Sequence, residues 1–492
     1  MTDSIPRRDF MAQAAAAVAV ATHAHAASTP ARRNIVFILI DDMRFDSMGF
    51  MGHPFLETPN LDALARGGIV FERAFVTTSL CSPSRASMLT GLYAHSHKVY
   101  DNKSPLDDAI PTFPRMLQEA GYRTAFVGKW HMGGDTDDPR PGFDYWSSFR
   151  GQGVYVDPTF NTNGQRKQEA GYVTDLITDK AVAFLRERGD SPICLYVSHK
   201  AVHAEFHPAG RHKGCYADKT YPHPASMANT DENYCGKPAW VRAQRHSWHG
   251  VDGMYNKETD FDSFARDYCE TMRAVDDSVG RIVETLREQG LLNSTLFVFT
   301  SDNGFQFGEH GLIDKRTMYE ASIRVPCIAH CPDFIKPGAK CGELTANIDF
   351  APTFLEAAGL PVPSSMQGRS LLPLMRGESP EWRDSILYEY LWERSFPQTP
   401  TMLGVRTKTH KYIRYHGVWD FYELYDVEKD PDEMTNLLAG YIQDSEGGIL
   451  EAIIRKKAPD DVKALFEDMT NRLNTLLKES GCLQEPAWIG TQ

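Results

Sequence analysis

Asn34-Ile35-Val36-Phe37-Ile38-Leu39-Ile40-Asp41-Asp42 is an unbroken apolar run, rich in β-branched residues, that ends on two carboxylates. A strand with one wet face would alternate apolar and polar residues. A continuous run predicts a strand buried on both faces, as in a parallel sheet. Three more runs repeat the pattern. Residues 123–127 lead into Gly128-Lys129-Trp130-His131, residues 193–197 into Ser198-His199 with His203 nearby, and residues 295–300 into Ser301-Asp302-Asn303-Gly304. Helical patterns lie between them at residues 61–66, 113–120, 175–186 and 261–289. In the last, Phe264, Tyr268, Met272, Val275, Val279, Ile282 and Leu286 recur three or four apart before Gly290. Strands alternating with helices predict an α/β fold, a large and mostly parallel sheet flanked by helices. In such a sheet the C-terminal strand ends share one edge, so the four polar clusters are expected to form one site there.

Beyond residue 379 the pattern changes. Short strands at residues 386–390, 403–406 and 412–415, then a helix at 462–478, predict a smaller C-terminal α+β domain over residues 379–492. Residues 207–260 have little periodicity and many His, Tyr, Pro and Trp residues. They are expected either to form an insertion that walls the pocket or to be a solvated loop.

Composition narrows the class of protein. With 492 residues, 42% of them hydrophobic and 24% charged, the chain can bury a sizeable core and is neither disordered nor fibrous. A net charge of −13 argues against general affinity for nucleic acid or for anionic membranes. Arg7-Arg8 precedes an alanine-rich uncharged stretch and Ala24-His25-Ala26. Residues 1–26 are therefore expected to be a twin-arginine-type signal peptide directing export to a bacterial periplasm or beyond, with no membrane span elsewhere. Nine cysteines are too few to build a disulfide scaffold, and Cys215 with Cys235 is the favoured pair if one forms.

Two sets of residues carry chemistry. Asp41, Asp42, Asp302 and Asn303 offer oxygen donors only, which favours a hard cation such as Ca²⁺ or Mg²⁺ over zinc. In Cys81-Ser82-Pro83-Ser84-Arg85, Ser82 suits a helix cap and Pro83 a first turn. Cys81 is thereby expected, partly exposed, at a helix N-terminus where backbone N–H groups favour anions.

The stretch from Cys81 to Gly91, Cys-Ser-Pro-Ser-Arg-Ala-Ser-Met-Leu-Thr-Gly, resembles the signature of the type I, formylglycine-dependent sulfatases of the alkaline-phosphatase-like superfamily. The strand ending in Asp41-Asp42, Gly128-Lys129-Trp130-His131, Ser301-Asp302-Asn303-Gly304, Gly308-Glu309-His310-Gly311-Leu312, Lys315 and the segment from Tyr319 to Pro326 are similar to further motifs of that family. One departure is Val202-His203-Ala204, where many members have Pro-His-x-Pro. The resemblance implies a catalytic domain over residues 33–375 and one Ca²⁺ on Asp41, Asp42, Asp302 and Asn303. It also implies that a formylglycine-generating maturation enzyme oxidises Cys81, whose aldehyde hydrate then attacks sulfur to give a sulfo-enzyme intermediate. On that reading Arg85, Lys129 and Lys315 hold the sulfate charge, His131 drives sulfate elimination, and His203 or Lys315 protonates the departing alcohol.

Sequence around residues 308–326 and 423–426 looks like that of N-acetylglucosamine-6-sulfatases and related glycan sulfatases, so the expected substrate is a sulfated carbohydrate, with Arg324 binding it at the pocket rim. An aryl sulfatase and a phosphonate or phosphate monoester hydrolase are the alternatives. An inactive sulfated-glycan binding protein is the alternative from another class.

Overall fold

The four apolar runs are adjacent strands of one sheet in the computed structural model, which describes residues 32–134, 136–187, 189–257, 260–416, 421–442 and 450–482. The expected signal peptide at residues 1–26 lies outside the described residues. The sheet's ten strands are Asn34–Ile40 (β1), Ile69–Phe71 (β2), Arg123–Lys129 (β3), Tyr145–Phe149 (β4), Thr159–Thr162 (β5), Gln165–Gln168 (β6), Ile193–Ser198 (β7), Thr295–Ser301 (β8), Cys327–His330 (β9) and Ala339–Cys341 (β10). Their spatial order is β10-β2-β9-β8-β1-β7-β3-β4-β5-β6. The centre, β8-β1-β7-β3-β4, is parallel throughout. Outside it, β9 runs antiparallel to β8 and β2, and β5 and β6 form an antiparallel margin, so the sheet is mixed.

Register brings the strand ends level. Leu39 faces Ser198, Ile40 faces Ser301, and Gly128 also faces Ser198. Asp41, Lys129, His199 and Asp302 therefore emerge along one edge. Gly128 permits that edge to close: its φ is +117°, and a Cβ there would lie 1.8 Å from the Ser198 carbonyl oxygen.

Both faces of β1 are buried because helices cover each. Val36, Ile38 and Ile40 pack into a cluster with the helices Val173–Arg186 and Phe261–Glu288. Asp260 caps the latter by accepting from the Ser263 N–H at 2.9 Å. On the opposite face Phe37 lies 5.3 Å from Phe350 and 5.2 Å from Phe354, both in the helix Phe350–Ala357. Each such fully buried side chain contributes about 1.5–3 kcal/mol of apolar transfer free energy.

A second, antiparallel sheet comprises Ser385–Tyr390 (β11), Thr401–Thr407 (β12), His410–His416 (β13) and Tyr422–Asp426 (β14), with the helix Asp460–Glu479 packed on it. Tyr388, Leu403, Ile413 and Phe466 belong to the same apolar cluster as Ile35, Phe37 and Leu39. The smaller sheet is thus continuous in core with one face of the large one. Contrary to the favoured pairing, no disulfide joins Cys215 to Cys235. No helix among the described residues is long and apolar enough to cross a membrane.

Candidate active site

Leu80, extended at φ −153°, leads into the helix Cys81–Thr90. Ser82 does not cap it, as the sequence had suggested. Its Oγ lies 3.3 Å from His131 Nδ1 and donates to the His131 carbonyl at 3.2 Å, while its N–H donates to Asn102 Oδ1 at 3.1 Å. The expectation of a partly exposed cysteine is also corrected, since every residue of this helix is buried and Cys81 is 0% exposed. The helix packs among the helices Ala94–His97, Phe113–Glu119 and Phe350–Ala357 rather than lying on the surface. Burial and the neighbouring Asp41 carboxylate push the Cys81 thiol up to about 12, so it stays neutral.

Around Cys81 three carboxylates interleave with three cations. Lys315 Nζ donates to Cys81 Sγ at 3.0 Å and to Asp42 Oδ1 at 2.5 Å, and Cys81 Sγ lies 3.4 Å from Asp41 Oδ1. Lys129 Nζ pairs with Asp41 and donates to Gln152 Oε1 at 2.5 Å. Arg85 Nε donates to Asp302 Oδ2 at 2.9 Å, while its Nη1 donates to the Lys129 carbonyl at 2.8 Å and to Ser198 Oγ at 2.6 Å. Asp41 and Asp302 are 0% exposed and Asp42 is 1% exposed. Burial opposes ionisation of all three. Against it, Lys129, His203 and Arg85 hold Asp41 well below the usual carboxylate range. Asp302, buried and facing the Asp41 charge, is raised to about 7, and Asp42 is raised by burial and by Asp41 despite Lys315.

Asp41, Asp42 and Asp302 bring their oxygens within 4.8 Å of one another. Asn303 Nδ2 is spent on Asp42 Oδ1 at 2.7 Å and on the Gly304 carbonyl at 2.8 Å, which leaves Asn303 Oδ1 buried with no hydrogen-bond partner. Three converging carboxylates and an orphaned amide oxygen fit a hard divalent cation, whose charge would relieve their mutual repulsion.

His131 and His203 complete the surroundings of Cys81, His203 within 4.8 Å of both Cys81 and Asp41. His203 Nε2 is 3.8 Å from Asp42 Oδ2, and its Nδ1 is 2.5 Å from the Ala204 carbonyl. Both imidazoles are held neutral: burial and Lys129 push His131 well below its ordinary value, and burial and Lys315 do the same for His203. Asp42 at φ +58° and His131 at φ +67° occupy the left-handed region, a strained backbone paid for by the surrounding packing.

Three neighbours had no sequence signal. Gln152 touches Lys129. Tyr155 donates to the His203 carbonyl at 2.7 Å, and Lys200 places its Nζ 4.6 Å over the Tyr155 ring. Lys200, buried and facing Lys129, is pushed down to about 8. A lysine following Ser-His at a strand end was the available hint.

The insertion walls this site. Gly250 bridges Leu312, Ile313 N–H donates to the His249 carbonyl at 2.7 Å, and Val251 N–H donates to the Gly311 carbonyl at 3.0 Å, just ahead of Lys315. Arg324 is not brought to the cluster. Its Nε and Nη2 donate to the Glu72 carbonyl at 3.1 and 2.5 Å, its guanidinium lies 4.2 Å over Phe45, and it lines a cavity of about 410 Å³ with Arg73, Arg406 and Glu320. None of Cys81, Lys129, His131, His203 and Lys315 lines that cavity. The backbone at Arg324 pairs with Phe75 in an isolated antiparallel bridge.

Comparison with known proteins agrees with this geometry. The sulfatase family model matches residues 33–360, and a second model, N-sulphoglucosamine sulphohydrolase C-terminal, matches residues 308–457. The chain is 35% identical over 464 residues to an N-acetylglucosamine-6-O-sulfatase of Bacteroides thetaiotaomicron, covering 82% of each chain. It is 31% identical over 462 residues to the N-acetylglucosamine-6-sulfatase of Homo sapiens, covering 82% of this chain and 81% of the other. A solved structure described as a complex with its substrate D-glucosamine-2-N,6-O-disulfate superposes with a TM-score of 0.81 at 32% identity, covering 92% of this chain and 99% of that one. By these matches the chain that gathers Cys81, an acidic cluster and three cations at one sheet edge belongs to the sulfatase family and is a sulfuric ester hydrolase.

Proposed function

We propose that this sulfatase hydrolyses a sulfate ester of a glucosamine-type sugar, with Cys81 matured to formylglycine and Ca²⁺ held by Asp41, Asp42, Asp302 and Asn303. The observation that carries the reading is the position of Lys315 Nζ, which donates to Cys81 Sγ and to Asp42 and so ties the nucleophile position to the acidic cluster. The named glucosamine sulfatase relatives and the glucosamine disulfate complex support the choice of sugar.

A neutral buried thiol is a poor nucleophile, because the thiolate is the reactive form. That favours maturation by a formylglycine-generating enzyme. An aldehyde hydrate at position 81 would supply one hydroxyl for attack on sulfur and a second for expulsion of sulfate, and a cation held by Asp41, Asp42, Asp302 and Asn303 would supply charge that acidifies the hydrate and neutralises sulfate oxygens.

The chain's own residues do the rest. Lys129 and Lys315 flank Cys81 and present N–H donors where sulfate charge grows. Arg85 fixes Asp302 and the β3 and β7 strand ends, so its work is orientation as well as charge. His131, neutral and anchored through Ser82, is available to accept a proton at the Cys81 position. His203 and Lys315 stand on the outward side, where a departing alcohol takes its proton. The chain acts after export, on the reading of residues 1–26 as a twin-arginine-type signal, in the periplasm or outside the cell.

The test joins chemistry to modification. Mass spectrometry of the peptide spanning Cys81 should show the aldehyde, and N-acetylglucosamine 6-sulfate should release sulfate in a calcium-dependent way that Cys81→Ala abolishes. An unmodified thiol in an active enzyme, full activity after removal of all metal, or no release from any sulfated glucosamine would overturn the corresponding part.

A further inference from the structure

Five large apolar side chains are conspicuously exposed among the described residues: Val154, Val156, Trp248, Val362 and Trp392. Four of them belong to segments that reach the active site. Val154 and Val156 bracket Tyr155, which holds the His203 carbonyl, and follow Gln152, which touches Lys129. Trp248 and Trp392, 42% and 51% exposed, come from the insertion and from the loop after β11. Exposed apolar groups on segments that contact one site mark a binding surface more than apolar residues scattered singly do.

Each tryptophan adjoins a residue that contacts a neighbour of Lys315: Trp248 precedes His249, which faces Asp314, and Trp392 precedes Glu393, which pairs with Arg316. Asp314 precedes Lys315 and accepts from Arg316 Nη1 at 2.9 Å and from Gln244 Nε2 at 3.0 Å. His249 Nδ1 lies 3.9 Å from Asp314 Oδ2, and its ring stacks on Phe396 at 4.9 Å and 29°. On one side of His249, Trp248 sits at 4.6 Å and packs in turn on Tyr255 at 4.1 Å. On the other side, Arg316 caps Phe396 at 3.4 Å and is tied to Glu393, while the Trp392 Nε1–H donates to the Pro397 carbonyl at 3.1 Å. Trp248 and Trp392 are thus two points of one rim, each a residue away from a contact with a neighbour of Lys315. Their positions are fixed by buried charge pairs, yet their ring faces remain open.

Resting on the sulfated-sugar reading above, we propose that Trp248 and Trp392 form the sugar-platform subsite, against which the pyranose ring of the substrate stacks while its sulfate enters the Cys81 pocket. A pyranose has an apolar C–H face and a hydroxyl edge. An exposed indole face matches the apolar C–H face. A flat lipid or protein partner would need a wider apolar surface than this rim offers.

The test separates the sugar from the sulfate. With N-acetylglucosamine 6-sulfate as substrate, Trp248→Ala and Trp392→Ala should each raise KM about tenfold with kcat changed less than about twofold, the signature of lost uniform binding. Inhibition by inorganic sulfate, which lacks the ring, should be unchanged. Trp248→Phe, which keeps a stacking face and the packing on Tyr255, should restore most of the KM and controls for misfolding. Fluorescence titration with the same sugar sulfate reads the rim without turnover and should show quenching in the wild type. Unchanged KM in both alanine variants, or a parallel weakening of inorganic sulfate, overturns the subsite. A wild type whose fluorescence is quenched by the sugar sulfate but which releases no sulfate overturns the functional reading and keeps the subsite. Neither quenching nor release overturns both.

Discussion

Arg85 and Asp302 are each 1% exposed or less, and each is the other's principal compensation. Truncating one partner of a buried ion pair leaves the other charge uncompensated at a cost of about 3–5 kcal/mol. Arg85→Met is therefore expected to lower the free energy of unfolding of chelated protein by about that amount, as read by urea titration. A loss of activity with no shift in the urea midpoint would confine Arg85 to chemistry. The clustered residues were legible because each follows an apolar run or sits in a motif of fixed spacing: Asp41 and Asp42 after β1, Lys129 and His131 at the end of β3, Asp302 and Asn303 after β8. Gln152, Tyr155 and Lys200 were not, since they lie in or after loops whose path no periodicity reveals. For Arg324 sequence gives the neighbours along the chain but not the direction of the side chain, which lies over Phe45 and against the Glu72 carbonyl.

At the level of elements, the edge depends on how closely β3 and β7 approach. Gly128→Ala would place a methyl group 1.8 Å from the Ser198 oxygen at a φ that side chains rarely adopt. We expect a loss above about 4 kcal/mol, seen as insoluble expression or a collapsed urea midpoint, and a soluble variant of wild-type stability would refute the argument. A second junction ties the small sheet to the rest. His95 Nδ1 pairs with Glu389 Oε2 at 2.8 Å, and its Nε2 donates to the Ser480 carbonyl at 2.9 Å, so both nitrogens carry protons. Despite burial, the hydrogen bonds to Cys482 and Glu389 raise His95 to about 10. A raised imidazole stabilises the folded state fully below its unfolded value near 6.5 and loses that contribution as pH climbs toward 10. The stability difference between wild type and His95→Gln should thus be largest near pH 6 and shrink steadily to pH 10. A difference independent of pH would mean that His95 is neutral. The long central runs announced their strands plainly, whereas β6, Gln-Arg-Lys-Gln and wholly exposed, carries no apolar signal at all.

For the molecule as a whole, the shared apolar cluster means that the two sheets are one thermodynamic body. Heating should give a single cooperative transition, and a chain ending at residue 378 should fail to fold, because the shared cluster would lose everything that β11 to β14 and the helix Asp460–Glu479 contribute to it. Two separated calorimetric transitions would show independent units instead. Sequence reading divided these units by a change of periodicity, which reports local structure and cannot see that Tyr388 reaches across to Ser79 at 2.6 Å. The active centre has a further property at this scale. Its three carboxylates and three cations cancel, so a bound divalent ion leaves two positive charges in surplus, equal and opposite to those of free sulfate. The ester entering carries one negative charge and the inorganic product leaving carries two. With that ion in place, such a centre would favour the doubly charged product over the singly charged ester, so inorganic sulfate is expected to inhibit by competing for it.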